Sequence, residues 1–361
     1  MTGLYFHIPF CAKKCPYCDF YSVPYSKSTV QGYVDALLRN LHHYRQPELA
    51  VDTLYFGGGT PSLLTPEQVQ NILSVAADCF DVQPDAEITL EYNPTRKPDG
   101  YLKDLRAIGV NRLSIGTQSF SDKQLQLLGR THTAADNLRT VQAAQEAGFT
   151  NISCDLMLAT PDQTENVLSE TLEILTALPI THVSAYMLQI EDGTPLSQNE
   201  DLLARCPNDD TTVERYFQAV RVLGSAGFHQ YEVSSFAKEG YESRHNLHYW
   251  KCEDYLGIGA GAHSCYAGKR FCVPKDAAAF IASDTQPVEI VDAHPLDREE
   301  RLMLALRLTE GVAEEALSAK ARKKIPFLER SDYIRRTPQG NIALTPEGFA
   351  VSNAVIAELI E

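Results

Sequence analysis

The chain has one tryptophan, four methionines and only nine cysteines in 361 residues, and it has no long apolar run. No stretch approaches the ~18 uninterrupted apolar residues that a membrane-spanning helix needs. A basic segment followed by an apolar core is also missing. Met1-Thr2-Gly3 leads directly into strand-like residues, so no export signal is expected. Positive charge is the scarcer sign: Lys+Arg 32 against Asp+Glu 47 gives a formal charge of -15. That balance works against nonspecific nucleic-acid binding, which draws most of its affinity from phosphate neutralisation. The cysteines lack the repeating framework of a secreted disulfide scaffold, and a cytoplasmic, reducing setting is expected.

Three of the cysteines stand together. Cys11, Cys15 and Cys18 lie within His7-Ile8-Pro9-Phe10-Cys11-Ala12-Lys13-Lys14-Cys15-Pro16-Tyr17-Cys18, directly after an apolar run. Structural zinc takes four tetrahedral ligands, usually from two separated pairs, and no second C-x-x-C or H-x-x-x-H follows. A [4Fe-4S] cube has four iron corners, so three thiolates leave one iron open to a substrate or cofactor. This spacing points to radical S-adenosylmethionine (SAM) chemistry. Cys79, Cys154 and Cys206 read as packing residues, and Cys252, Cys265 and Cys272 lack cluster-like spacing. A C-x-x-C-H is absent, so covalent c-type heme attachment is not expected.

Through the first two-thirds of the chain an apolar strand, a polar or glycine-rich turn and an amphipathic helix recur. Gly109, Gly148 and Gly227 each follow a helical stretch and precede a strand, where a helix terminus favours positive φ. Strands are expected at Leu4 to Ile8, Thr53 to Phe56, Glu87 to Glu91, Arg112 to Ile115, Asn151 to Leu156 and His182 to Leu188, with a further one at Gln230 to Ser234. Thr65-Pro66-Glu67-Gln68 is a capping box with proline at the first helical position. Parallel strands separated by helices form either an open doubly wound sheet or a barrel, and the pattern alone leaves both open. The periodicity fades between Ala267 and Pro295. We expect an α/β domain over residues 1–285 and a small, mainly helical, winged-helix-like domain over 286–361.

Ligands of α/β repeats collect at the C-terminal ends of the strands. There the chain places the cysteine loop, Gly57-Gly58-Gly59-Thr60-Pro61, Glu91-Tyr92-Asn93-Pro94, Gly116-Thr117-Gln118-Ser119 and Asp155. SAM presents an ammonium, a carboxylate, a ribose diol and an adenine. Arg130 suits the carboxylate, Glu91 and Asp155 the ammonium or ribose, and Tyr17 a stacking role.

Tyr5 through Phe20, together with Gly57 to Ser62, Glu91-x-Asn-Pro, Gly116-x-Gln118-Ser119 and Gly129-Arg130-x-His132, resembles the radical SAM proteins related to oxygen-independent coproporphyrinogen III oxidase. The resemblance covers nearly the whole chain and implies a partial (β/α)6 TIM-like barrel. It also implies cluster ligation by Cys11, Cys15 and Cys18, and SAM contacts from Tyr5, Tyr17, Gly58, Gly59, Thr60, Glu91, Gln118, Arg130 and Asp155. The oxidase pattern has a further cysteine where this chain has Phe20, and an N-terminal extension that is not expected here. His245-Asn246-Leu247-His248-Tyr249-Trp250 instead matches the His-Asn-x-x-Tyr-Trp signature of the family's heme-chaperone branch. Neutral imidazole is a good axial ligand for heme iron, so His245 is the expected ligand and His248 the reserve.

The function this implies is a heme chaperone that binds heme, a [4Fe-4S] cluster and SAM and passes heme to hemoproteins, with respiratory-chain enzymes as recipients. The alternative is the oxidase, in which reductive SAM cleavage begins hydrogen abstraction from the propionate side chains of coproporphyrinogen III and ends in decarboxylation. Lys320, Arg322, Lys323, Lys324, Arg330, Arg335 and Arg336 form a local basic stretch that suits an anionic membrane surface.

Overall fold

The structure is a computed structural model and describes residues 1–360. Six parallel strands form its centre: β1 Thr2–Ile8, β2 Gln46–Gly58, β3 Phe80–Tyr92, β4 Arg112–Gln118, β5 Asn151–Leu158 and β6 His182–Met187. They lie side by side in chain order, each parallel to the next. The major returning helices are α1 Lys27–His43, α2 Pro66–Cys79, α3 Tyr101–Ala107, α4 Ala134–Glu146, α5 Glu165–Ala177 and, beyond β6, α6 Asp209–Ser225. A doubly wound sheet reverses its strand order so that helices cover both faces. An unbroken order with right-handed crossovers keeps the helices on one face and curls the sheet around the other. This is the partial (β/α)6 barrel that the resemblance implies.

Side chains on a strand alternate between faces, and here the alternation is chemical. Leu4, Phe6 and Ile8 of β1, Leu54 and Phe56 of β2, and Leu113 and Ile115 of β4 are buried in one core with Val30, Val34, Leu37 and Leu41 of α1. The intervening positions carry Tyr5 and His7, Thr53, Tyr55 and Gly57, Glu87, Thr89 and Glu91, then Arg112, Ser114 and Gly116. The outer face therefore supplies the hydrophobic stabilisation, and the inner face is left to polar groups.

The local signals in the sequence are realised. Thr65 accepts from Gln68 N at 3.2 Å and Gln68 returns the bond to Thr65 N, completing the capping box. Gly109, Gly148 and Gly227 have φ of 109°, 89° and 84°. The strand expected at Gln230 to Ser234 is instead two short antiparallel strands, His229–Gln230 and Ser235–Ala237. The segment between them turns where Glu232 accepts from Ser234 N at 3.1 Å.

At the other edge, β7 Tyr255–Ile258 pairs parallel with β1, and three antiparallel strands, His263–Tyr266, Lys269–Cys272 and Glu289–Asp292, extend the sheet to twelve strands. The segment of fading periodicity thus belongs to the sheet, which runs past residue 285 to Asp292. Beyond it, Asp297 caps the helix Arg298–Ala305, Ile334–Arg336 pairs with Ile342–Leu344, and Thr345 caps Pro346–Ala350 before the last helix Ser352–Ile360. Helices around a two-stranded ribbon make this a small, mainly helical unit. Thr309 N donates to Tyr231 O at 3.0 Å and ties it to the barrel.

Phe6 is fully buried with its ring 4.9 Å from that of Phe56, at the junction of the first two strands. Phe6→Ala is expected to cost about 3–5 kcal/mol of stability by leaving a cavity. A loss of less than about 1 kcal/mol in unfolding free energy, read from denaturant titration, would contradict the packing described.

Candidate functional site

The loop after β1 is closed by its own backbone. Val23 N donates to Pro9 O at 2.7 Å and Tyr25 N to Cys11 O at 3.1 Å, so the intervening residues project as one loop over the C-terminal end of the barrel. Cys18 N to Cys15 O at 3.1 Å makes a turn within it. Cys11, Cys15 and Cys18 are free, half-buried thiols.

Three thiols on a loop with no fourth ligand fit a cube with one open corner. Among the described residues, no three His, Cys, Asp or Glu side chains are arranged to hold a single metal ion. A cube spreads its ligands over separate iron corners, so thiolates bound to it need not converge on one point, as ligands of a single zinc ion must.

Beneath the loop lies a cavity of about 430 Å³ lined by Cys11, Cys15, Cys18, Tyr17, Gly58, Gly59, Thr60, Glu91, Gln118, Arg130 and Asp155. A second hollow, of about 550 Å³, opens beside α3 and α4 around Lys97 and contains none of the residues expected to hold the cluster, SAM or heme. Its dimensions are comparable, but the chemistry is in the first.

Arg130 organises the rim. It donates through Nη2 to Asn93 Oδ1 at 2.6 Å and Gly116 O at 2.9 Å, while Nη1 points to Cys15 Sγ at 3.6 Å. Asn93 also donates to Thr60 Oγ1 at 3.0 Å, and Thr60 lies 3.5 Å from Cys11 Sγ. Two cysteines are thereby linked through one hydrogen-bonded chain to three strand ends. Gln118, at the end of β4, has φ of 60°, a left-handed conformation that few non-glycine residues adopt.

The glycine turn has a different cause from the one its composition suggests. A Cβ at Gly58, whose φ is 110°, would lie 2.7 Å from the His7 ring, and one at Gly59 would lie 2.8 Å from Phe10 O. These glycines first allow β2 to approach the cysteine loop; the ligand-facing surface is what remains. His7 bridges the same parts, with Nδ1 3.1 Å from Tyr5 OH and Nε2 3.3 Å from Tyr21 O, and burial pulls its pKa down to about 4.

Of the carboxyl groups lining the cavity, Asp19 and Glu191 are exposed, and Glu91 and Asp155 lie within the barrel. Glu91 accepts from Tyr55 OH at 3.0 Å and Gly58 N at 3.1 Å, and burial, with Asp155 nearby, pushes its pKa up to about 8. Asp155 accepts from Ser114 Oγ at 3.1 Å, and burial raises it to about 6. A ligand cation is the obvious partner for carboxyls held in this state.

Tyr5 and His245 lie elsewhere. Helix α7 Arg244–Trp250 closes the N-terminal end of the barrel, with Glu87 accepting from Arg244 N and His245 N at 3.2 Å each. His245 is 1% exposed. Its Nδ1 is 2.8 Å from Thr53 Oγ1, its Nε2 is 2.8 Å from Tyr249 OH, and its ring stacks on Tyr55 and Tyr5. Burial drives its pKa down to about 3. Gly3 makes the space, since a Cβ there would lie 3.0 Å from the imidazole. While α7 keeps this seat, neither nitrogen has a lone pair open to heme iron. His248 is buried too, with Nε2 2.9 Å from Asp52 and Nδ1 2.8 Å from Glu253. Tyr5 belongs to this aromatic stack and does not line the cavity, whereas Asn246 of the same six-residue segment does.

The residues absent from the strand-end reading are Tyr55, Arg112, Ser114, Ser184 and Tyr186, all of which line the cavity. They sit at alternate inward positions of strands whose outward positions are apolar, and that alternation was their signal.

A barrel ending in a three-cysteine loop above a polar cavity defines a radical SAM protein. The Radical SAM superfamily profile accordingly matches residues 5–175. The heme chaperone HemW of Lactococcus lactis is 33% identical over 99% of this chain and 97% of its own length. HemW of Escherichia coli is 40% identical over 72% of this chain and 69% of its own. The solved structure of E. coli coproporphyrinogen III oxidase (HemN), described as a radical SAM enzyme, superposes with a TM-score of 0.81 over 99% of this chain and 89% of that one; at 21% identity it shows the fold. The chain belongs to the HemW heme-chaperone family.

The raised Glu91 pKa has a signed consequence for the ligand-free protein. Between about 4 and about 8 the folded state keeps a proton that the unfolded state releases. Its contribution to stability is therefore largest below this range and falls as pH rises through it. Denaturant titrations from pH 5 to 8 should show Glu91→Gln losing less stability than the parent over the same interval. Parallel profiles would contradict the assignment.

Proposed function

We propose that this chain is a heme carrier built on radical SAM equipment. Cys11, Cys15 and Cys18 hold a [4Fe-4S] cluster, which when bound supplies an open iron and one-electron chemistry to SAM. Tyr17, Gly58, Gly59, Thr60, Glu91, Gln118, Arg130 and Asp155 bind SAM, with Tyr5 supporting them from the aromatic stack. The observation that carries this reading is the meeting of the cysteine loop, Arg130 and the two buried carboxyl groups around one cavity, in a member of the HemW family.

The chain's own residues prepare that cavity. Asn93 and Gly116 O fix Arg130 before a ligand arrives, so its carboxylate partner meets an oriented guanidinium. Glu91 holds a proton at neutral pH and releases it when an ammonium approaches.

Heme is the cargo. Phe20 is 67% exposed beside the cysteine loop, and Tyr186 and Leu188 stand at the same cavity, giving a flat apolar rim suited to a macrocycle. An aromatic residue at position 20, in place of the oxidase pattern's cysteine, favours carriage over turnover. We assign the barrel functions to the sheet-bearing part, which continues past the expected boundary at residue 285 to Asp292, and partner contact to the helical unit after it, with respiratory hemoproteins as recipients and the cytoplasm as the site of action. No helix among the described residues is long and apolar enough to cross a membrane. Arg322, Lys323 and Arg330 are exposed and suit peripheral contact with an anionic surface.

Anaerobically reconstituted protein should bind heme saturably and form no protoporphyrinogen from coproporphyrinogen III. Sustained protoporphyrinogen production would overturn the carrier reading. His245→Ala should lower stability by about 1–3 kcal/mol through its two lost buried hydrogen bonds. Its heme affinity should stay within about twofold of the parent. A tenfold loss of affinity at unchanged fold would instead make His245 the ligand and require α7 to undock.

A further inference from the structure

The floor of the cavity holds two polar side chains that the proposed SAM site does not use. Arg112 comes from the start of β4 and Asn246 from α7. Arg112 is 1% exposed, yet its Nε has no hydrogen-bond partner, and its ion-pair neighbour is Glu87 Oε2 at 4.0 Å. A guanidinium carries five N–H donors, and a buried Nε–H without an acceptor is an exception to the rule that interior polar groups are paired.

The neighbouring carboxylates are committed elsewhere. Glu87 spends its oxygens on the N–H groups of Arg244 and His245, so turning it toward Arg112 would loosen α7. Asp155 receives the Ser114 hydroxyl, while Glu91 receives Tyr55 OH and Gly58 N and is held protonated at neutral pH by burial. Asn246 uses its backbone N–H on Ser243 Oγ and leaves its carboxamide to the cavity. It follows directly on the two residues that Glu87 anchors, so Arg112 and Asn246 flank the same carboxylate.

We propose that Arg112 and Asn246 form a carboxylate-binding subsite at the floor of the barrel, beneath the SAM residues. A planar carboxylate accepts two parallel N–H bonds from the guanidinium and a third from the Asn246 amide, geometry that a lysine ammonium does not reproduce. The ligand class is a small carboxylate able to reach the barrel floor, and the proposed function is not needed to name it.

Binding is read by isothermal titration calorimetry, because Trp250, the chain's only tryptophan, packs its ring on Arg307 and does not line the cavity. The reconstituted full chain is titrated with sodium propionate at constant ionic strength, with propionamide as the neutral counterpart. Propionate should saturate the signal and propionamide should not. Asn246→Ala should weaken propionate binding at least threefold and Arg112→Gln at least tenfold, with Arg112→Lys recovering only part of the loss. An absent or non-saturating propionate response, an equal response to propionamide, or unchanged affinity in folded Asn246→Ala overturns the subsite, even if Arg112→Gln fails to fold. Heme titration of the same preparation separates the two claims. Heme binding without a propionate response removes the subsite and leaves the carrier; a propionate response without heme binding does the reverse.

Discussion

A barrel with its apolar face turned outward to helices must satisfy a polar inner face from within, and Glu87 is where this requirement is met. Its carboxylate receives the first two N–H groups of α7, and the register of β1 to β3 sets Gly3, Thr53 and Glu87 side by side beneath His245. The N-terminal end of the barrel is thereby closed with backbone donors, imidazole and hydroxyl groups paired. Everything above stands on this closed floor, and burial inside the barrel gives Glu91 and Asp155 their raised pKa values.

The opposite end is built to remain open. Its cysteine loop is tied to the strand ends through Thr60, Asn93 and Arg130, a chain of side-chain bonds that fixes direction without filling the space between. Preorganisation of this kind costs a ligand little reorganisation on binding. A frame of this kind can serve different functions in different proteins, because function lies in the site and not in the fold.

The site was legible where function needs a local spacing. Three thiols within eight residues announce themselves, and polar residues at successive strand ends follow from the barrel principle. Residues whose role depends on direction were harder to read. His245 has the right chemistry for heme iron, but a six-residue motif does not say that its ring turns into the barrel while Asn246 turns to the cavity. Gly58 and Gly59 do line the cavity, but composition alone does not show the second need for glycine there: a Cβ would meet the His7 ring or Phe10 O. Arg112 opens a strand four residues before Gly116-Thr117-Gln118-Ser119 and belongs to no motif itself; only the strand register places it under Glu91 and Asp155. The fold was clearest where helix and strand periods persisted, and least clear in the strands of two to four residues after Gly227, too short to show a period.

The central claim is that three thiolates leave one cluster iron free for SAM inside this cavity. Electron paramagnetic resonance of the anaerobically reconstituted, reduced protein tests it most directly. The account predicts a [4Fe-4S]+ signal that shifts when SAM is added, persists but no longer shifts in Arg130→Ala, and is lost when Cys15 is replaced by alanine. A cluster signal indifferent to SAM in the parent protein, or one that survives Cys15→Ala unchanged, would contradict it.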